Sequence, residues 1–208
     1  VANQGRSQTR LAINSNLGMD RHRVQQFLDR LQSITTEDIY TSNESMGIQA
    51  EYIRDGLDYD QWRANFEQGL QHQKNPRQMR IDFTLTLPGL LEVMAIEDLA
   101  HHYRVELLAK VIFSFSPDIV MSPLALPRNI LERVVQPLIY LTNGAMRDIL
   151  VQLLQRPTFQ EQWPDQYHSA LQRGKQRLQQ IEKIRGDTYT MSDILQQNPL
   201  LYVWWQNI

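Results

Sequence analysis

The stretch Arg80-Ile81-Asp82-Phe83-Thr84-Leu85-Thr86-Leu87 alternates polar and apolar side chains over its whole length. Successive side chains of a β-strand point to opposite faces of the sheet, so a period of two predicts a strand with one buried face. Pro88-Gly89 follows at once and marks a turn into the next element. The sequence thus predicts one strand of a sheet over residues 80–87.

Three further strand-like segments flank it, at residues 11–16, 38–42 and 107–115. Helical patterns separate them: Val24, Phe27, Leu28 and Leu31, for example, recur at helical spacing after a cap at Asp20. Strands that alternate with helices are typical of βα units and of a parallel sheet. The sequence thus predicts an α/β fold with about four parallel strands over residues 11–140.

The connections between these strands carry further local signals. After the second strand we predict a polar loop through Gly47 and Gly56, then a helix that Asp58 caps and Asn75-Pro76 breaks. Trp62 and Phe66 in that helix lie at core spacing, which favours burial. The fourth strand leads through a Ser116-Pro117 loop to a helix beginning near Pro127.

From about residue 143 the pattern is helical only, and residues 141–208 are expected to form an extension that packs on the sheet. Gly186 suits the end of its longest helix, and Ser192 is a candidate cap for a short later one. The tail Leu200-Leu201-Tyr202-Val203-Trp204-Trp205 is too apolar for solvent and is expected to dock on the fold.

Composition limits the function classes. The 208 residues include 42% apolar and 21% charged side chains, as in ordinary globular proteins, and the formal net charge is −2. This charge gives no basic footprint for nucleic acid or a membrane surface, and no apolar run approaches the ~20 residues of a membrane span. Residues 1–10 form a polar leader without the apolar core of a signal peptide, so we expect a cytoplasmic protein.

Polar side chains gather at the predicted strand ends, where parallel α/β folds place their ligand chemistry. These are Asn14, Ser15, Asn16, Ser42, Asn43, Glu44, Thr84, Thr86, Ser114 and Ser116, with Arg54 in the loop after the second strand. The amides and hydroxyls could hold a ribose or an amino acid, and the arginine could clamp a carboxylate. Ordinary capping and turn chemistry, which favours the same residue types, is the alternative.

The sequence gives little indication of a metal site or of thiolate chemistry. Adjacent residues of a helix do not share a face, so we interpret His101-His102 as solvated surface and not as a metal site. The carboxylates of Glu44, Glu51, Asp55 and Asp58 lack a recurring metal-ligand spacing and favour a solvated acidic loop. We therefore predict no metal site in this chain. Cysteine is absent, so this chain can provide no disulfide and no thiolate ligand.

The ordered series of segments resembles one known family. Leu11-Ala12-Ile13-Asn14-Ser15-Asn16-Leu17-Gly18 resembles the third-strand element of radical S-adenosylmethionine (radical SAM) enzymes, and residues 38–62 resemble their fourth strand and its loop. Residues 83–86, 122–127 and 198–205 are similar to later parts of twitch-type members. The resemblance extends over residues 10–208 and depends on the series as a whole.

The resemblance implies a partial (β/α)6 barrel of TIM type, a [4Fe–4S] cluster, and reductive cleavage of S-adenosylmethionine to a radical that abstracts hydrogen from a substrate. By position, Asn14, Ser15 and Asn16 would line the ligand mouth, and Thr84 and Thr86 would close its floor. Ser42 and Glu44 would approach the ribose or methionine end, and Arg54 would pair with the methionine carboxylate. The substrate, whether a small molecule, a peptide or a carbohydrate, stays open.

Two family elements do not occur: the Cys-x3-Cys-x2-Cys cluster loop and the Gly-Gly-Glu element. Both belong upstream of the matching region. Our first hypothesis is therefore the carboxyl-terminal part of such an enzyme, inactive alone, whose first strand pairs with missing amino-terminal strands or with a complementing chain. The alternatives are a non-catalytic α/β ligand-binding module and a partner-docking protein that uses its helical residues with the aromatic tail exposed.

Overall fold

The computed structural model describes residues 11–31, 37–72, 78–115 and 119–208. The predicted polar leader at residues 1–10, the helix break at Asn75-Pro76 and the Ser116-Pro117 loop lie outside these ranges. Within them the chain is α/β, with a sheet of four parallel strands in the order β1-β2-β3-β4. The strands are β1 (Leu11–Ser15), β2 (Glu37–Asn43), β3 (Met79–Leu85) and β4 (Glu106–Val111).

Helices connect the strands and follow the last one. The connecting helices are α1 (Arg21–Leu31), α2 (Gly47–Ile53), α3 (Tyr59–His72) and α4 (Val93–Tyr103). The helices after β4 are α5 (Arg128–Leu141), α6 (Gly144–Gln155), α7 (Phe159–Gln162), α8 (Pro164–Arg185), α9 (Met191–Leu195) and α10 (Pro199–Gln206). Among the described residues no helix combines the length and the apolar run needed to cross a membrane.

The two faces of the sheet differ. The register aligns Ile39 with Met79 and Ile81 with Leu107, and this face joins α1, α3 and α4 in one apolar core. The opposite face carries Asn14, Tyr40, Arg80 and Glu106 as cross-strand neighbours in one row, and Ser42, Asp82 and Leu108 in the next. Its side chains are half-buried or exposed apart from that of Asp38. We call it the polar face.

The predicted alternation in β3 is confirmed: Ile81, Phe83 and Leu85 are fully buried, with half-buried polar residues between them. The strand ends at Leu85 and not at Leu87. The Thr86 carbonyl accepts the N–H of Leu90 at 3.1 Å, which starts a turn that leads into a short 3-10 helix (Pro88–Glu92).

β4 also ends earlier than predicted, at Val111 and not at Phe115. The Ile112 N–H still donates to the Leu85 carbonyl at 3.1 Å, but the Ile112 carbonyl accepts the Ser122 hydroxyl at 2.7 Å. Because β3 has already ended, the residues beyond Ile112 have no further strand carbonyls to pair with.

The polar loop predicted after β2 is wrong in part, because Gly47–Ile53 is a helix. Gly47, the first residue of this helix, and Gly56, in the turn after it, have φ of +50° and +76°, a backbone conformation that glycine adopts without strain. The seven-residue helix is too short for a clear sequence periodicity, although it buries Gln49, Ala50 and Tyr52.

The helix caps predicted at Asp20, Asp58 and Gly186 are confirmed. The carboxylates of Asp20 and Asp58 accept the N–H groups of Arg23 at 3.0 Å and Gln61 at 2.9 Å, and Gly186 ends α8 with φ of +69°. The cap predicted at Ser192 is wrong. Thr190 caps α9 in a reciprocal capping box with Asp193, so Ser192 lies inside the helix.

The apolar tail docks as expected. Leu201, Trp204 and Trp205 of α10 are buried, and the Lys175 ammonium of α8 lies 4.9 Å from the Trp205 ring centroid. Trp62 and Phe66 are likewise confirmed as core residues, with ring centroids 5.3 Å apart in a stacked arrangement.

Candidate functional site

The carboxyl ends of the four strands lie at one edge of the sheet because all pairs are parallel. Three predicted site residues, Asn14, Ser42 and Thr84, lie on the polar face near this edge. Ser42 is aligned with Asp82 of β3, and Thr84 with Lys110 of β4. Asn14 is exposed, and Ser42 and Thr84 are half-buried. Side chains from three neighbouring strands therefore share one accessible surface.

Three other predicted residues make local turn contacts. Ser15 accepts the N–H of Leu17 at 3.1 Å, Asn16 accepts that of Gly18 at 3.2 Å, and buried Thr86 accepts that of Gly89 at 3.0 Å. These are the capping contacts that such residue types make at strand ends in general.

The loop after β1 is fixed to α3. Leu17 is buried in a left-handed conformation with φ of +46°, and the Asn65 amide of α3 donates to the carbonyls of Leu17 and Met19, both at 2.8 Å. The backbone at the carboxyl end of β1 is thus held in place by a buried side chain.

The strongest charged contact at this edge joins Glu44 and Arg54. Glu44 directly follows β2 and is nearly buried, and Arg54 directly follows α2. Arg54 Nε donates to Oε2 at 2.9 Å and Nη2 donates to Oε1, a two-pronged pair that fixes both side chains. Among the described residues nothing pairs with Arg54 Nη1, so part of its donor set stays available.

Two buried polar atoms belong to the residues directly before and after Glu44 in the chain. Asn43 Nδ2 and Ser45 Oγ have no hydrogen-bond partner among the described residues, although both side chains are almost fully buried. An unpaired buried polar group destabilises a fold by about 1–3 kcal/mol. Asn43 and Ser45 thus each have a side-chain polar atom that makes no hydrogen bond to the described residues.

Gly89 allows the loops after β2 and β3 to touch. A Cβ added there would lie 2.8 Å from the Glu44 carbonyl oxygen and 2.9 Å from Thr86 Oγ1. Only glycine fits this approach, which holds the backbone of Glu44 against the turn that follows β3.

α2 is anchored from two sides, which positions Arg54. The Gln49 amide donates to the Pro88 carbonyl at 2.8 Å, and the Tyr52 hydroxyl donates to Glu182 Oε1 of α8 at 2.7 Å. Arg185 of α8 donates to the Tyr52 carbonyl at 3.1 Å. Burial, followed by the hydrogen bond to Glu182, raises the pKa of Tyr52 well above its usual range, so the hydroxyl remains a donor. The helical extension therefore supports the site through α2.

The polar face contributes a charged row that the sequence interpretation did not single out. Arg80 bridges Asp38 at 3.3 Å and Glu106 at 2.7 Å and lies over the Tyr40 ring. Nearer the carboxyl edge, the Lys110 ammonium lies 2.6 Å from Asp82. The alternation in β3 was the available signal, because it places Arg80 and Asp82 opposite the buried face.

The remaining acidic residues of the α2–α3 region serve local contacts. Glu51 accepts the N–H of Tyr59 at 2.9 Å, and Asp55 lies 3.3 Å from Arg185. Within the described ranges no group of three or more His, Asp or Glu side chains is arranged to hold a metal ion. His101 and His102 are exposed, as expected for solvated surface.

Comparison of the chain with protein-family models, with curated proteins and with solved structures returned no match.

Proposed function

We propose that this chain is the carboxyl-terminal part of a twitch-type radical SAM enzyme, with residues 11–140 in a partial (β/α)6 barrel and residues 141–208 as its helical extension. The observation that carries the proposal is the strand order β1-β2-β3-β4, in which each parallel strand is added next to the last. Doubly wound sheets reverse direction at a switch point, whereas barrels keep adding strands one way.

The polar face supports the same proposal. A closed eight-stranded barrel fills its interior with bulky apolar side chains. Here the corresponding face carries Asn14, Ser42, Arg80, Thr84 and Lys110, which suits an open barrel that holds polar ligands.

β1 offers an edge for further strands. It pairs with β2 on one side, and among the described residues no strand pairs with its other side. Leu11 and Ala12 are exposed there. An unpaired parallel edge is a place for strand addition, and we assign it to preceding strands of the same enzyme or to a complementing chain.

The iron–sulfur cluster does not fit this chain. Its ligands are thiolates, and the sequence has no cysteine. In this proposal the cluster belongs entirely to the part of the enzyme that would precede these residues, and no step is assigned here to any residue toward it.

S-adenosylmethionine fits the residues at the carboxyl edge. Glu44 can accept hydrogen bonds from a ribose or from the methionine ammonium, and Arg54 keeps Nη1 for the methionine carboxylate. Asn14, Ser42 and Thr84 line the surrounding mouth, and Ser15, Asn16 and Thr86 shape it through their turn contacts at the strand ends. In the full enzyme this molecule would accept one electron from outside this chain and divide into methionine and a 5′-deoxyadenosyl radical. This chain's residues bind and orient it and hold the substrate on the polar face.

Reading the coding sequence upstream of Val1 is the first test. We expect it to encode a Cys-x3-Cys-x2-Cys loop followed by a Gly-Gly-Glu element. An upstream sequence without them contradicts the proposal.

The second test is calorimetric titration of S-adenosylmethionine into the longest natural protein that contains this chain. Glu44→Gln should weaken binding about tenfold, since a hydrogen bond to a charged group contributes about 1.5–3 kcal/mol. Glu132→Gln on α5 is the matched control and should bind normally. Equal affinity in both variants contradicts the assignment of Glu44.

A non-catalytic α/β ligand-binding module is the second candidate, and the absence of cysteine favours it. It predicts binding that depends on Glu44 together with an upstream sequence that lacks the cluster loop. A docking protein with an exposed aromatic tail fits less well, because Leu201, Trp204 and Trp205 are buried in the single chain.

A further inference from the structure

A mostly apolar groove lies between α5, α8 and α10 and encloses about 590 Å³. Tyr167, Leu171 and Trp204 form its buried floor, and Ile130, Leu200 and Val203 line its walls. Val203 is 59% exposed although it is a large apolar residue. The volume and the lining are those of small-molecule pockets in proteins.

The hydroxyl of Tyr167, the tyrosine in the floor, is already hydrogen-bonded within the fold. The Tyr167 hydroxyl donates to the Ala125 carbonyl at 2.6 Å, and burial raises the pKa of Tyr167 to about 12. The floor therefore stays neutral at physiological pH and offers an apolar surface to an occupant.

The rim carries one cationic side chain, that of Arg133. Arg133 of α5 and His168 of α8 are the titratable side chains among the other lining residues, and no carboxylate side chain lines the groove. Arg133 has no ion-pair or hydrogen-bond partner among the described residues. Arg128 on the same helix, by contrast, donates to Glu161 at 3.1 Å and to the Leu154 carbonyl at 2.8 Å. The guanidinium of Arg133 thus has unpaired N–H donors beside an apolar groove.

We infer that this groove binds a small anionic amphiphile, with its apolar body on Leu171 and Trp204 and its carboxylate at Arg133. A guanidinium is planar and can donate two parallel hydrogen bonds to a carboxylate. The apolar floor would bury the apolar part of the ligand. The groove is built from α5, α8 and α10 and shares no residue with the strand-end site, so the inference is independent of the proposed function.

Three probes with the same ten-carbon chain test the charge preference: decanoate, decanol and decyltrimethylammonium, each titrated calorimetrically into the full chain. Decanoate is expected to bind tightest, decanol about threefold to fivefold more weakly, and the cation weakest, since an exposed charge pair adds only modestly to affinity. The Trp204 indole N–H signal should shift with decanoate in NMR spectra. Equal affinity for the three probes, or no binding of any, overturns the inference.

Variants locate the site. Arg133→Gln should weaken decanoate about threefold to fivefold and leave decanol unchanged, and Arg147→Gln on the exposed face of α6 is its control. Val203→Asp should weaken both probes about tenfold or more by placing a charge in the groove. Its control is Ile184→Asp, at a position 85% exposed on α8.

Decanoate binding that survives both Arg133→Gln and Val203→Asp contradicts the site. So does concentration-dependent self-association that Val203→Asp abolishes, because the groove would then be an interface between two copies of the chain.

Discussion

The covered face and the polar face of the sheet are built from alternate residues of the same strands. In β3 the side chains of Ile81, Phe83 and Leu85 are fully buried, while Arg80, Asp82 and Thr84 between them remain in partial contact with solvent. The first set holds the fold together through apolar burial, and the second set carries charges and hydroxyls that can meet a ligand. Substitutions at adjacent residues of β3 should therefore differ sharply in their effect on the free energy of unfolding.

Phe83→Ala should give the largest loss of stability, about 3–5 kcal/mol, because a fully buried aromatic side chain leaves a cavity in the core. Thr84→Ala, one residue further and on the polar face, should lower the free energy of unfolding by less than about 1 kcal/mol. Urea denaturation of both variants measures the difference. Similar losses in the two variants would show that the polar face is packed like the covered face.

Arg80→Met should have the next largest effect. The Arg80 and Asp38 side chains are only 16% and 5% exposed, so removal of the guanidinium takes a cationic partner from a buried carboxylate. We expect a loss of about 2–3 kcal/mol that changes little between low and high salt, because buried pairs are weakly screened. A loss below about 0.5 kcal/mol would show that the ion pairs of Arg80 with Asp38 and Glu106 do not stabilise the fold.

Lys110→Met should have the smallest effect, less than about 1 kcal/mol, because its ion pair with Asp82 is near the surface. The Lys110 side chain is 57% exposed. The effect should decrease further in high salt. An effect as large as that of Arg80→Met would contradict the distinction between the buried and the exposed part of the polar face.

The local features of the fold could be read from the sequence because short-range chemistry determines them. The alternation in β3, the caps at Asp20 and Asp58, and the helix end at Gly186 each depend on residues within one turn or one strand. α2 was not predicted because its seven residues give too little periodicity. The end of β4 was predicted too late because it depends on the hydrogen bond from the Ser122 hydroxyl to the Ile112 carbonyl.

The site was predictable in composition but not in contacts. The sequence indicated polar strand ends and named Glu44 and Arg54 as separate ligand groups. Their mutual pairing depends on α2 bringing residues ten positions apart together, and α2 is held by Glu182, 130 positions after Tyr52. Such long-range contacts leave no signal in local spacing. The turn contacts of Ser15, Asn16 and Thr86 are local, but the sequence does not distinguish them from ligand contacts, since one residue type serves both turns and ligands.

The most direct test of the central claim is the formation of 5′-deoxyadenosine from S-adenosylmethionine. The protein to use is the full natural product containing this chain, reconstituted anaerobically with iron and sulfide and supplied with a strong reductant. We predict 5′-deoxyadenosine formation that falls at least about tenfold in Glu44→Gln, with the cluster absorbance unchanged, and that persists in Glu132→Gln. No 5′-deoxyadenosine from the reconstituted protein, or equal formation by wild type and Glu44→Gln, would contradict the account.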